Sequence, residues 1–175
     1  MSAWLSKVAT IVASAFLAVA LWAAPASADT LEVLTASLNG AQENPPVASP
    51  STGVAVMYFN KDNSELCYRI SFTPLGGTEV LAHFHGPAGP GQNAPVVKDI
   101  SPSPPGPSPL GSPKHGCVTL DKQQAKDLKK GLWYINIHST PLAPGGEIRG
   151  QVFPVKGVKY SKVAPLASPS GAFLD

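Results

Sequence analysis

Proline and glycine, 19 and 16 of them in 175 residues, cut most of this chain into short segments in which apolar and polar side chains alternate. Alternation of period two between turn residues is the mark of β-strands, and frequent proline excludes long helices. The segments that fit are Leu31–Leu38, Gly53–Asn60, Glu65–Thr73, Thr78–His85, Pro95–Asp99, Gly116–Leu120, Leu132–His138 and Glu147–Val155. So many short strands predict an all-β sandwich or Greek-key barrel. One short helix interrupts them. Asp121 is its expected N-cap, Gln124 completes a capping box, and Gly131 marks its end. Asp62-Asn63 predicts a hairpin between the second and third strands, whereas Gly86–Gly91 and the Pro/Ser-rich Ser101–Pro113 read as loops.

The N-terminus has a different character. Lys7 precedes an apolar run from Val8 to Trp22, and Ala26-Ser27-Ala28 follows with the small-x-small pattern of a signal-peptidase site. The run is short for a spanning helix and ends at Pro25. Residues 1–28 are therefore expected to be a signal peptide, 29–155 one domain and 156–175 a mobile tail. Such a chain is destined for the periplasm or the outside of the cell. Its net charge of +2 gives no signature of nucleic-acid binding, and no second apolar stretch is long enough to span a bilayer. Only two cysteines are present, Cys67 and Cys117. In an exported chain they are expected to pair, closing a loop of about 50 residues worth roughly 4 kcal/mol.

Alternation also assigns faces. In Thr78–His85 the core set is Val80, Ala82 and Phe84, which leaves Glu79, Leu81, His83 and His85 on the opposite face. In Leu132–His138 the core set is Trp133, Ile135 and Ile137, and Tyr134, Asn136 and His138 face away. In the last strand Glu147, Arg149 and Gln151 point outward. A hairpin between these last two strands places Glu147 roughly opposite His138 and Arg149 roughly opposite Asn136.

His83 and His85 thus present two imidazoles on one side of a strand, and His138 at another strand end would complete a three-histidine surface site with an open position. Imidazole suits copper and zinc, and also iron or nickel. Glu147 could be a further ligand, or could orient His138 through its other ring nitrogen. His115 is a weaker candidate for a fourth ligand. The structural alternative is that these are surface histidines bonded to loops. No phosphate-binding loop, nucleophile elbow or CxxC motif is present.

The chain resembles the CHRD domain, first recognised in chordin and widespread in exported bacterial proteins. The resemblance rests on Leu34-Thr35-Ala36, Gln42-Glu43-Asn44-Pro45-Pro46-Val47, Ala82-His83-Phe84-His85-Gly86-Pro87-Ala88, Tyr134-Ile135-Asn136-Ile137-His138-Ser139 and Pro144 to Gln151, in the family's order. It implies a Greek-key, immunoglobulin-like barrel distantly similar to copper/zinc superoxide dismutases. There a His-x-His pair and a later strand-end histidine hold copper; His83, His85 and His138 match them, and Arg149 would match an anion-guiding arginine. The bridging histidine of those enzymes has no counterpart, since Gly86–Pro113 contains no histidine and Asp99 is its only acidic residue. The expectation is therefore a copper-binding exported protein. A non-catalytic adhesion module with a protein partner is the alternative, and a redox metalloenzyme of superoxide type is a third reading.

Overall fold

A computed structural model describes residues 30–101 and 110–161. The expected signal peptide, residues 102–109 of the Pro/Ser-rich loop and the tail beyond Ser161 lie outside the described residues. The strands are β1 (Thr30–Asn39), β2 (Thr52–Asn60), β3 (Glu65–Phe72), β4 (Thr78–His85), β5 (Val96–Ser101), β6 (Lys114–Thr119), β7 (Trp133–Thr140) and β8 (Ala143–Ser161), with one helix, α1 (Lys122–Lys129), between β6 and β7. Among the described residues no helix is long and apolar enough to cross a membrane.

The strands form one antiparallel sheet in the order β5-β4-β7-β8-β1-β2-β3-β6, nearly closed into a barrel where the edges β5 and β6 approach. Around the closure β7, β4, β5 and β6 stand side by side, which is Greek-key order. The barrel is filled by alternate residues of nearly every strand, among them Leu34, Met57, Tyr68, Phe84, Ile135 and Ile148. Tyr68 meets Phe84 edge-to-face at 5.3 Å, and Phe84 meets Trp133 at 5.8 Å.

Local signals in the sequence account for much of this. β2 and β3 pair from Gly53↔Phe72 to Asn60↔Glu65 around the Asp62-Asn63 turn. At the start of α1 the Asp121 side chain accepts from Gln123 and Gln124 N–H while the Gln124 side chain accepts from Asp121 N–H. The helix ends in a Schellman arrangement: Gly131 N–H donates to Leu128 O, Leu132 N–H donates to Asp127 O, and Gly131 takes a φ of +73°. Cys67 and Cys117 are direct partners across β3 and β6 and are joined by a disulfide.

Three expectations need correction. β8 runs from Ala143 to Ser161, so the hairpin with β7 is tighter than the sequence suggests, and Lys156–Ser161 continues the strand against β1. In β4 a bulge between Glu79 and Leu81 breaks the alternation. Glu79 is therefore buried rather than outward, and Val80 is only half-buried. Finally, β7 is buried on both faces. Its outer face is not solvent-exposed, because the loops 40–51 and 86–95 lie across it and bring polar partners to it.

Candidate metal centre

His83 and His85 leave the outer face of β4, and His138 leaves that of the adjacent β7. Strand pairing sets His83 opposite Asn136 and His85 opposite Tyr134. The three imidazoles converge: one ring nitrogen from each lies within 4.8 Å of the others. The sequence reading of a surface site fails here, since the histidines are only 8–9% exposed beneath the loops.

Backbone carbonyls settle which nitrogens are available. A carbonyl only accepts, so His85 Nδ1, 2.9 Å from Ala94 O, and His138 Nδ1, 3.0 Å from Pro144 O, each carry the hydrogen. Both Nε2 atoms are left as lone pairs. His85 Nε2 is buried with no hydrogen-bond partner among the described residues. His138 Nε2 lies 3.3 Å from His83 Nδ1, and Asp99 Oδ1 stands 3.7 Å from His83 Nε2. With its proton on Nδ1, His83 donates to the His138 Nε2 lone pair; with its proton on Nε2, towards Asp99, it presents a second lone pair that a cation could share with His138. A trigonal ion with bonds of about 2.0–2.1 Å needs nitrogens about 3.5 Å apart. The His83–His138 pair already stands at 3.3 Å, and a small inward shift of the His85 ring, whose nitrogen lies within 4.8 Å of both, suffices. The donor set fits a metal.

The electrostatics agree. Burial holds all three imidazoles below the usual histidine range, His85 down to about 4. For His83 the neighbouring His138 adds to this and Asp99 opposes it; for His85 and His138 the carbonyl bonds oppose it. The rings are neutral at pH 7, the protonation state a metal requires.

A second layer holds the first in place. The Tyr134 ring stacks on His85 at 4.8 Å with the planes 3° apart, and the Arg149 guanidinium lies 3.4 Å from the centre of the same ring. Arg149 donates to Gln92 O at 2.6 Å and to Asn93 Oδ1 at 3.1 Å, while Gln151 Nε2 donates to Ala88 O. These bonds pin the loop whose Ala94 carbonyl orients His85.

The other site residues from the sequence land elsewhere. Arg149 faces Asn136 across the hairpin as expected, but at 1% exposure it is a loop latch and not an open anion guide. His115 is exposed on β6 opposite Arg69 and does not join the cluster. Glu147 neither joins nor orients it; Pro144 O bonds His138 instead. The Glu147 carboxylate is buried among Ser49, Ser51, Gly76 and Ser139. It moves there because the β7–β8 register slips between Ile137 and Ser139.

Asp99 and Glu43 were not legible as site residues. Glu43 reaches Asn136 Nδ2 at 3.3 Å, and Gly146 makes room for this: a Cβ there would collide with the Asn136 amide and Glu43 Oε1. Burial pushes the Glu43 carboxyl up to about 7, against the pull of Arg149 and the Asn136 bond. The folded value exceeds the ordinary 4.5, so the folded state holds the proton more tightly than the unfolded state. Its contribution is complete below pH 4.5 and is lost as pH rises through 7. Urea titrations should show about 2 kcal/mol lost from this group between pH 5 and 8, and Glu43→Gln should remove that slope. An unchanged slope would refute the assignment.

The chain matches the family model of the CHRD domain over residues 34–152. No curated protein and no solved structure matches it. A match over this much of the chain, carried on the barrel and on the strands that bear the histidines, places the chain in the CHRD domain family.

Proposed function

We propose that this protein is an exported copper-binding domain that takes one ion through His83 Nδ1, His85 Nε2 and His138 Nε2. The observation that carries the reading is the buried, unpartnered Nε2 of His85, aimed into a cluster whose other two rings offer lone pairs. An empty lone pair in such a place is costly, and a cation satisfies it. All-imidazole donors suit copper and zinc, and the affinity order of divalent ions places copper above zinc. Bound copper would supply one-electron chemistry and an open coordination position. The chain's own residues hold the ligands: Ala94 and Pro144 carbonyls fix two tautomers, Asp99 biases the third, and the Arg149–Tyr134 stack keeps His85 in plane. The disulfide and the signal-like N-terminus support a periplasmic or secreted location, where thiols oxidise.

The test is a competitive copper titration of the purified full chain, with zinc in parallel. One copper per chain is expected. His85→Ala should weaken binding by more than about a hundredfold, beyond the tenfold to hundredfold typical of removing an outer partner. A His83/His85/His138 triple alanine variant that binds copper as well as the parent would end the proposal.

A further inference from the structure

The three histidines supply lone pairs but no charge. The Nδ1 hydrogens of His85 and His138 go to the Ala94 and Pro144 carbonyls, which are dipoles and leave the rings neutral. The rings are only 8–9% exposed, so little water reaches an ion held between them. Among the described residues no carboxylate joins the set. Glu147 is held by Ser49, Ser51, Gly76 and Ser139, and Asp99 stands on the Nε2 side of His83 with its side chain 49% exposed to water. A buried cation lies close by instead. The Arg149 guanidinium sits against the Tyr134 ring that stacks on His85, and its charge acts on His85. Glu43 offsets Arg149 only in part at pH 7, because burial pushes its carboxyl up to about 7.

We infer that the site selects the oxidation state of its ion and holds Cu(I) in preference to Cu(II). The inference rests on the three-histidine reading above and adds the charge of the ion to it. The cost of taking an ion out of water rises with the square of its charge, and neutral donors in a dry site do not compensate a second positive charge. Repulsion from Arg149 doubles for the divalent ion. Coordination number works in the same direction. Cu(II) favours four donors in a tetragonal arrangement, whereas the cluster offers three, from two adjacent strands. Asp99 and Arg149 then tune the preference in opposite directions. The carboxylate favours the divalent ion and the guanidinium disfavours it. Asp99, half in water, is the more screened of the two and has the smaller effect.

The experiment is a pair of competition titrations of the full chain, against bicinchoninate for Cu(I) and against nitrilotriacetate for Cu(II). The Cu(I) arm is run without oxygen and with ascorbate rather than a thiol, so that the Cys67–Cys117 disulfide stays closed. The Kd for Cu(I) is expected to lie about a hundredfold or more below that for Cu(II). Asp99→Asn should widen this ratio about threefold, and Arg149→Met should narrow it about tenfold. A changed His83 tautomer moves both constants together and cancels in the ratio. Asp99 is exposed on the edge strand β5, so its variant stays readable even where loss of the Arg149 latch lowers the melting temperature. Cu(II) held as tightly as Cu(I), or a ratio unmoved in Asp99→Asn, would overturn this inference and leave the three-histidine site standing. A chain that takes up neither ion would overturn both.

Discussion

Lys114→Met is expected to destabilise the barrel by about 3–5 kcal/mol, the usual consequence of removing one partner from a buried ion pair. Lys114 is fully buried, and its Nζ lies 2.5 Å from Glu79 Oε1. Burial pulls the lysine pKa down, and the bond and charge of Glu79 oppose that. Gly111 N–H donates to the other Glu79 oxygen, and the Phe72 ring lies 5.7 Å from the ammonium. The pair ties β4 to β6, two strands that are not neighbours in the sheet but approach where the barrel closes. Methionine fills the volume of lysine but strands the carboxylate. The double variant Glu79→Leu/Lys114→Met should recover most of the loss, because two apolar groups leave no charge to solvate. Urea denaturation of the four members of the cycle measures the coupling. A single variant within about 1 kcal/mol of the parent would show that the pair is solvated and not part of the closure.

The second large effect is expected at Glu147. Its carboxylate is completely buried and accepts from Gly76 N–H at 2.7 Å, from the Ser49 hydroxyl at 2.7 Å, from the Ser51 hydroxyl at 3.2 Å and from the Ser139 hydroxyl. Burial alone would raise its pKa, but the four donors outweigh it and hold it below the ordinary value. Bonds to a charged acceptor contribute about 1.5–3 kcal/mol each and are not additive. Glu147→Ala should therefore cost on the order of 4 kcal/mol at pH 7 in the same denaturation experiment. The sign with pH is opposite to that of Glu43. A depressed carboxylate stabilises above the unfolded value of 4.5 and loses that contribution as pH falls through the folded value. The penalty of the alanine variant should thus shrink below pH 4.5, and a penalty independent of pH would mean that the hydroxyls, not the charge, hold this corner. Because Glu147 does not touch the histidines, the variant separates fold stability from metal uptake.

The barrel was legible in the sequence wherever alternation was unbroken. Trp133, Ile135 and Ile137 enter the core as their spacing demands, and the Asp121–Gln124 box and Gly131 bound the helix at the expected residues. The three histidines were legible as a set because two share a strand face and the third sits at the end of a neighbouring strand. What alternation cannot report is what covers a face. Glu43 meets Asn136 across 93 residues of chain, and Asp99 meets His83 only through the β4–β5 register. Neither contact leaves a periodic trace. The bulge at β4 is the other failure: one extra residue at Val80 sends Glu79 inward, against every neighbour's pattern. Glu147 went astray for the same reason, since a register slip moves a side chain to a new set of partners without changing a letter of the sequence.

The pairing of Thr30 with Ser161 brings the first and last described residues together on one ladder. The domain therefore enters and leaves at a single doorway. A host chain could carry it in a surface loop without being stretched, and the ends could be joined and the chain reopened at the β2–β3 turn with the barrel intact. The histidines lie on β4 and β7, and the loop latches Arg149 and Gln151 sit on β8 about ten residues before Ser161, so the doorway is a place where sequence can be added, removed or tethered at a distance from the site.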